Sequence, residues 1–157
     1  MSQIRIVRIH NELLGTYGDQ GNAEVLEFRA KFHGITANII DVSYNDDLPT
    51  NGDIYLLGGA EDSAQLLSLE ALQRGDNLNI LNFAIERGAV ILAVCAGFQI
   101  IGNSFVANGR EVQGLGLLDV VSVPGEKRLV GDIKTTSTVL GLNLLGLKII
   151  LDAKFWV

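Results

Sequence analysis

The single cysteine of this sequence, Cys95, stands where both chemistry and packing offer an explanation. It lies in "ILAVCAGFQIIG", with a small residue two positions away on either side, Ala93 and Gly97. A strand that turns sharply into a helix needs small neighbours, because the backbone folds back on itself and lifts the central side chain out as a nucleophile. The N–H groups of such a helix favour a thiolate, which is the attacking species. Free cysteines are also among the most buried residues, so the residues alone leave both interpretations open.

A second stretch, "LLGGAEDS" at residues 56–63, predicts a strand that ends in two glycines before a helix. Glycine lets backbone amides turn towards a ligand without a steric cost. An N–H from Gly58 or Gly59, together with that of Ala96, would form an oxyanion hole for acyl transfer. An ordinary turn is the alternative, and the stretch taken alone favours it.

Arg128 is a third candidate, because it follows the turn signal "VPGEK" and opens an apolar stretch. In one interpretation, this arginine binds a substrate carboxylate with two parallel hydrogen bonds. A solvated arginine is the more common outcome, and the sequence does not decide between the two.

Apolar segments that alternate with helical patterns predict the scaffold for these residues. The predicted strands cover 4–9, 35–42, 53–59 and 89–94, and the predicted helices cover 22–34, 63–74, 77–88 and 98–105. The remaining segments are predicted as a polar loop at 11–22, a hairpin at 110–123 and a further strand at 128–136. Strands without a polar face are buried on both sides, so we expect a three-layer α/β fold with a mostly parallel open sheet. Ligands bind beyond the carboxyl ends of such strands, where we expect the loops 10–22, 58–62 and 95–97.

Composition is typical of one globular domain, with 157 residues of which 48% are hydrophobic. The net charge of −6 argues against a nucleic-acid or anionic-membrane surface, which would need clustered lysine and arginine. The apolar runs are too short for a membrane helix, and the N-terminal "MSQIRIVRIH" lacks the apolar block of a signal peptide. With one cysteine and therefore no internal disulfide, we expect a cytoplasmic protein without membrane insertion.

Five segments carry a resemblance: "LGTYGDQGN", "LLGGAEDSAQ", "AVCAGFQIIG", "GLGLLDV" and "KRLVGDI". In this order they resemble the class I glutamine amidotransferases of the CobB/CobQ-like, cobyric-acid-synthase type, over about residues 3–147. Within that family they are most similar to the glutaminase subunits of the lipid II isoglutaminyl synthase branch, whose N-terminal loop has the pattern Y-x-D-x-G-N. The resemblance implies a flavodoxin-like, three-layer α/β fold.

The resemblance also implies the reaction and its residues. A cysteine attacks the side-chain amide of glutamine, ammonia leaves, and water releases glutamate from the thioester. Cys95 is then the nucleophile, and the amides of Ala96 and of the Gly58-Gly59 loop hold the oxyanion. Arg128 binds glutamine, and Gln99 has a supporting role.

The same resemblance implies a partner. The ammonia passes to a Mur-ligase-like synthetase subunit in a heterodimer, which amidates the glutamate of the peptidoglycan stem peptide. ATP and Mg²⁺ are expected on that partner, whereas no metal and no cofactor is expected in this chain, where we find no P-loop pattern.

A catalytic base is harder to place. The family's histidine lies far downstream of the cysteine in a G-F-E-N-H-x-G-R segment, and neither His10 nor His33 matches it. We expect both to be ordinary loop or helix histidines. Back-translation with a shift of one nucleotide after Gly146 permits F-E-N-H-L-G-R-K-V-L-G in place of the tail. We therefore predict an amidotransferase domain over 1–147, truncated at its C-terminus, and a frameshifted non-family tail over 148–157.

Three alternatives stay open. The chain as written is a truncated, inactive amidotransferase domain that at most docks on its partner, or it is the glutaminase for amidation of cobyrinic or cobyric acid. The third alternative is a cysteine-elbow α/β protein of the stress-response type. That group places a glutamate early in the chain beside the cysteine, a pattern that Glu12 matches poorly.

Overall fold

A computed structural model describes the backbone of residues 3–16, 19–137 and 141–156, and the side chains of the same residues except 126–130, 133, 135, 137 and 142–156. Four parallel strands form one sheet, in the order β2-β1-β3-β4. They are β1 (Gln3–Ile9), β2 (Thr36–Val42), β3 (Ile54–Leu57) and β4 (Val90–Ala93). All four agree with the predicted strands to within a few residues.

The register of these strands brings the predicted site loops to one edge. Ile9 pairs with Leu57, and Leu57 pairs with Ala93, so β1, β3 and β4 end at the same level. The strand order is that of flavodoxin-like sheets, in which ligands bind beyond the carboxyl ends near the β1–β3 crossover. The residues that follow these three strands therefore share the carboxyl edge of the sheet.

Helices cover both faces of this sheet. They are α1 (Asn11–Leu14), α2 (Gln20–Phe32), α3 (Asp62–Gln73), α4 (Asn77–Glu86) and α5 (Ala96–Ile101). On one face, α2 packs against Ile6 and Leu56. On the other face, α3, α4 and α5 pack over Val7, Ile9 and Leu57. Because successive strand residues point to opposite faces, both sets must be apolar, and the expected three-layer, mostly parallel fold is confirmed.

A second sheet follows α5, with the order β6-β5-β7-β8. Its strands are β5 (Ser104–Ala107), β6 (Arg110–Gln113), β7 (Val121–Ser137) and β8 (Leu142–Trp156). The turn between β5 and β6 has positive φ at Asn108 and Gly109, the backbone that an Asn-Gly hairpin adopts.

The C-terminal half of the described chain corrects two predictions and confirms one. The helix predicted over 98–105 is wrong in its limits, because α5 ends at Ile101 and the buried Phe105 belongs to β5. The hairpin predicted over 110–123 joins β5 to β6 instead. The strand predicted over 128–136 is confirmed, as the C-terminal part of the longer β7. Near the N-terminus, the loop predicted over 11–22 contains α1 and the first residues of α2, since burial of Leu14 favours a helical turn there.

Among the described residues, none of the helices is long and apolar enough to cross a membrane.

Candidate active site

Cys95 lies on the tight turn between β4 and α5, and its thiol is exposed. Its backbone has φ 52° and ψ −115°, a region that residues with a side chain rarely adopt. This is the strained strand-to-helix turn that presents a nucleophile above a sheet. Of the two interpretations that the sequence left open, the geometry supports presentation rather than packing.

The small residue after the turn is required by close packing. A Cβ at Gly97 would lie 2.5 Å from the carbonyl oxygen of Leu57 and 2.7 Å from its Cβ. The Gly97 N–H points to the carbonyl oxygens of Val94, at 2.9 Å, and Gly58, at 3.0 Å. The turn that carries Cys95 is thereby joined to the end of β3.

The peptide between Gly58 and Gly59 is hydrogen-bonded on both sides. The carbonyl oxygen of Gly58 accepts the N–H of Gly97, and the N–H of Gly59 donates to Oδ2 of Asp19 at 2.7 Å. In a trans peptide these two groups point in opposite directions. The Gly59 amide is thus directed away from α5 and already has an acceptor. The roles of Gly58, Gly59 and Ala96 as oxyanion donors stay predictions.

Gln65 on α3 braces the start of α5 from the other side. Its side chain is 2% exposed, and its Nε2 donates to Oε1 of Gln99 at 2.9 Å and to the carbonyl oxygen of Ala96 at 3.4 Å. Gln99 is thus hydrogen-bonded to α3, and its supporting role in the reaction stays a prediction. Sequence reasoning missed Gln65, since nothing local marks a glutamine on a helix whose partners lie 31 and 34 residues away.

Sequence reasoning also missed Asp19. It belongs to the "Y-x-D-x-G-N" pattern, which by itself assigns no role to the acidic residue. The structure places its carboxylate on Gly59, 40 residues further along the chain.

Neither histidine is placed as a base for Cys95. His33 ends α2, which lies on the opposite face of the sheet from α5 and runs back towards the amino ends of the strands. His10 follows β1, is fully buried, and has Nδ1 at 2.9 Å from the hydroxyl of Ser68. Burial lowers the pKa of His10 to about 4, since the charged ring would be desolvated. Its Nε2 has no hydrogen-bond partner among the described atoms.

Two other candidate residues lie on other elements, Arg128 on β7 and Glu12 on α1. Arg128 lies on β7 opposite Leu151, and its side chain is outside the described residues, so its role in binding glutamine stays a prediction. The carboxylate of Glu12 accepts the N–H of Tyr44 at 2.8 Å, which directs it to the segment after β2. Within the described part of the chain, no three residues of the types His, Cys, Asp and Glu cluster in a way that could hold a metal ion.

A model of the CobB/CobQ-like glutamine amidotransferase domain matches residues 5–150. The chain belongs to this family. The match begins in β1 and extends into β8, so the Cys95 turn and most of both sheets lie within the matched domain.

Relatives within the family include the same enzyme subunit from two bacteria. "Lipid II isoglutaminyl synthase (glutamine-hydrolyzing) subunit GatD" of Staphylococcus aureus is 32% identical over 90% of this chain and 58% of its own length. The subunit of the same name from Streptococcus pneumoniae is 34% identical over 84% of this chain and 51% of its own length. The chain therefore spans about half the length of the curated relatives it matches.

A second group of relatives matches less of the chain. A probable cobyric acid synthase of Methanopyrus kandleri is 35% identical over 52% of this chain and 18% of its own length.

A solved structure described as a glutamine amidotransferase has a TM-score of 0.53 at 16% identity, covering 92% of this chain and 70% of that one. The structural likeness supports the fold.

Proposed function

We propose that this chain carries the glutamine-hydrolysing activity of an amidotransferase, with Cys95 as the nucleophile. The observation that carries the proposal is the backbone of Cys95, which is exposed and held at φ 52° between a parallel strand and a helix. Strain of this kind costs about 1–3 kcal/mol and clusters at active sites, where the surrounding structure holds it in place. Membership of a glutamine amidotransferase family supports glutamine as the substrate.

In the proposed reaction the sulfur of Cys95 bonds to the amide carbon of glutamine, and an electron pair moves onto the carbonyl oxygen. The N–H of Ala96 and an amide of the Gly58-Gly59 turn would hold this oxyanion. The carbonyl then re-forms as the C–N bond breaks, and the nitrogen takes up the proton that the thiol gave to the base and leaves as ammonia. Water adds to the remaining thioester, releasing glutamate and restoring the thiol. Arg128 would hold glutamine, and Gln99 would support the turn.

These proton transfers need a base within hydrogen-bond reach. Because His10 is buried against Ser68 and His33 lies across the sheet, we propose that neither residue supplies it. We propose instead that the base is the histidine of the shifted frame after Gly146, and that 148–157 is a frameshifted tail. Sequencing of independent copies of the gene tests this directly, and an intact frame encoding "LKIILDAKFWV" in every copy would refute it.

The names and coverage of the relatives support an acceptor. The isoglutaminyl synthase subunits match 84–90% of this chain, whereas cobyric acid synthases match 52–71%. We therefore propose that the ammonia amidates the peptidoglycan stem-peptide glutamate. The proposed acceptor site, with its ATP and Mg²⁺, lies on a cytoplasmic Mur-ligase-like partner subunit.

Glutamate release from glutamine tests the activity, using the chain as written and the chain with its frame restored, each with and without the co-expressed synthetase. We expect the restored chain to hydrolyse glutamine and the chain as written to be slower by about a hundredfold or more, as expected for loss of a general base. Cys95→Ser should remove the activity of the restored chain. A restored chain that hydrolyses glutamine equally well with Cys95→Ser would disprove the role of the cysteine.

A further inference from the structure

Asp19 makes its shortest side-chain hydrogen bond outside its own helix. It is the N-cap residue of α2, where an aspartate ordinarily accepts N–H groups from its own helix, but its side chain makes no such capping bond. Its Oδ2 instead accepts the Gly59 N–H at 2.7 Å, and its Oδ1 lies 3.4 Å from Nδ2 of Asn22. The carboxylate of Asp19 is thus used at the end of β3, beside the Cys95 turn.

We propose that Asp19 is a positioning residue that acts through the Gly58–Gly59 peptide. Its carboxylate holds the Gly59 N–H away from the nucleophile, and the oxyanion hole is completed only when Asp19 releases it. This inference rests on the proposed glutaminase function, because it assigns a state to the oxyanion hole of that reaction.

The charges and distances give the reason. An oxyanion must lie about 2.7–3.1 Å from its amide donors, and Oδ2 of Asp19 already lies at such a distance from the Gly59 nitrogen. Two negatively charged oxygens cannot share one N–H. A hydrogen bond to a carboxylate is also about twice as strong as a neutral one, so the occupied state is favoured until something competes.

The geometry of the peptide gives a second reason. Its carbonyl is bonded to the Gly97 N–H, so its own N–H points the other way. Rotation of this peptide would turn the Gly59 N–H towards α5. Glycine on both sides of the peptide bond leaves no Cβ to obstruct that rotation.

The neighbourhood of Asp19 offers polar groups for the released carboxylate. A narrow cleft beside it is lined by Arg8, Asn11 and Asn22, among other residues. Arg8 also binds Asp41, with a distance of 2.9 Å between its Nη2 and Oδ2, so a second carboxylate would add to an existing ion pair. The side chain can thus leave Gly59 without losing all its polar contacts.

The test compares two reagents for the single thiol of the chain as written. A chloromethyl ketone analogue of glutamine places its carbonyl oxygen in the oxyanion hole while the sulfur displaces chloride. Dithiodipyridine reacts with the same thiolate but has no carbonyl. The ratio of the two labelling rates therefore reports the oxyanion hole separately from access to Cys95.

The variant is Asp19→Ala, and the matched control is Asp53→Ala. Asp53 also accepts a main-chain N–H at 2.7 Å, from Arg5, but at the amino end of the sheet. We expect Asp19→Ala to raise the ratio of the ketone rate to the dithiodipyridine rate about tenfold, which is less than the full effect of one oxyanion donor. We expect Asp53→Ala to leave this ratio unchanged. The amide proton of Gly59 should move upfield in the ¹H–¹⁵N spectrum of Asp19→Ala, which establishes that the bond is lost in a folded chain.

The outcomes separate the two proposals. If the Gly59 resonance moves but the ratio stays the same or falls, Asp19 does not restrain the oxyanion hole and the inference is wrong. If the ketone fails to label Cys95 in every variant while dithiodipyridine reacts, the glutaminase proposal itself fails and this inference fails with it.

Discussion

The two ends of the parallel sheet contain the same hydrogen bond in different surroundings. At the amino end, Asp53 accepts the main-chain N–H of Arg5 at 2.7 Å and also its Nε at 3.2 Å. At the carboxyl end, Asp19 accepts the main-chain N–H of Gly59 at 2.7 Å. The first bond ties β1 to the residue before β3, whereas the second fixes a glycine peptide next to an exposed cysteine.

The rest of each end follows the same contrast. At the amino end, the Tyr55 hydroxyl donates to the carbonyl of Pro49 at 2.6 Å and accepts the Gly52 N–H at 3.1 Å, and Arg87 binds the Gly52 carbonyl. At the carboxyl end, His10 and Cys95 both have positive φ. Hydrogen bonds therefore fix the residues at the amino end of the sheet, whereas the carboxyl end contains residues with a strained backbone. Substitutions at the amino end should therefore change stability alone.

The largest expected effect comes from a glycine at each end. At Gly58 an added Cβ would overlap the main-chain oxygen of Leu14, and backbone cannot move aside cheaply. At Gly52 it would meet side-chain atoms of Val7 and Tyr55. We expect Gly58→Ala to lower the free energy of unfolding by about 4 kcal/mol and Gly52→Ala by about 2 kcal/mol, measured by urea denaturation. Equal losses would mean that the two ends are equally tolerant of crowding.

The next effect is a pH dependence confined to the carboxyl end. The folded state holds the pKa of His10 near 4, below the ordinary 6.5, so the unfolded chain binds the proton first. Stability should fall as the pH is lowered from 6.5 to 4, by about 3 kcal/mol in total. Urea midpoints across this range measure the slope.

Two variants control that slope. His10→Asn should flatten it, since asparagine tolerates positive φ but does not ionise. His33→Asn, at the exposed end of α2, should keep the slope of the unaltered chain. An unchanged slope in His10→Asn would assign the pH dependence to other groups.

A smaller effect is expected at Gln65. Gln65→Leu removes the donor to Gln99 and Ala96, and buried acceptors without a donor cost about 2 kcal/mol. Labelling of Cys95 by the glutamine-like ketone should slow as well, because α5 loses its brace. Gln73→Leu, on the exposed side of the same helix, should change stability by less than about 0.5 kcal/mol. Labelling that is equally fast in both variants would show that Gln65 supports the fold only.

Local patterns were enough to predict the parallel sheet. Each of the strands β1 to β4 is an apolar run that is bounded by a glycine, an asparagine or a polar segment. Helices separate most of these strands along the chain. The same holds for the Cys95 turn, whose small neighbours at Ala93 and Gly97 are a steric requirement visible in the sequence. These features depend on residues a few positions apart, so the sequence carries them directly.

The remainder depends on contacts between distant segments. "FQIIGNSF" has a helical pattern of apolar residues, but its last two residues begin β5, which pairs with β6 and β7. The bond from Gly59 to Asp19 and the brace from Gln65 to Gln99 each join residues that are dozens of positions apart. Likewise, nothing near His10 in the sequence predicts that Ser68 lies against its ring.

The exposed position of Cys95 also decides how this chain responds to oxidation. As the single cysteine it has no second thiol within the chain to pair with, so a disulfide must join it to another molecule. An oxidised sample should therefore contain either covalent dimers linked at the candidate nucleophile or small-thiol adducts on it. Either product would block the proposed attack on glutamine until a reductant restored the thiol, so the redox state of the solution would control the reactivity of this one atom.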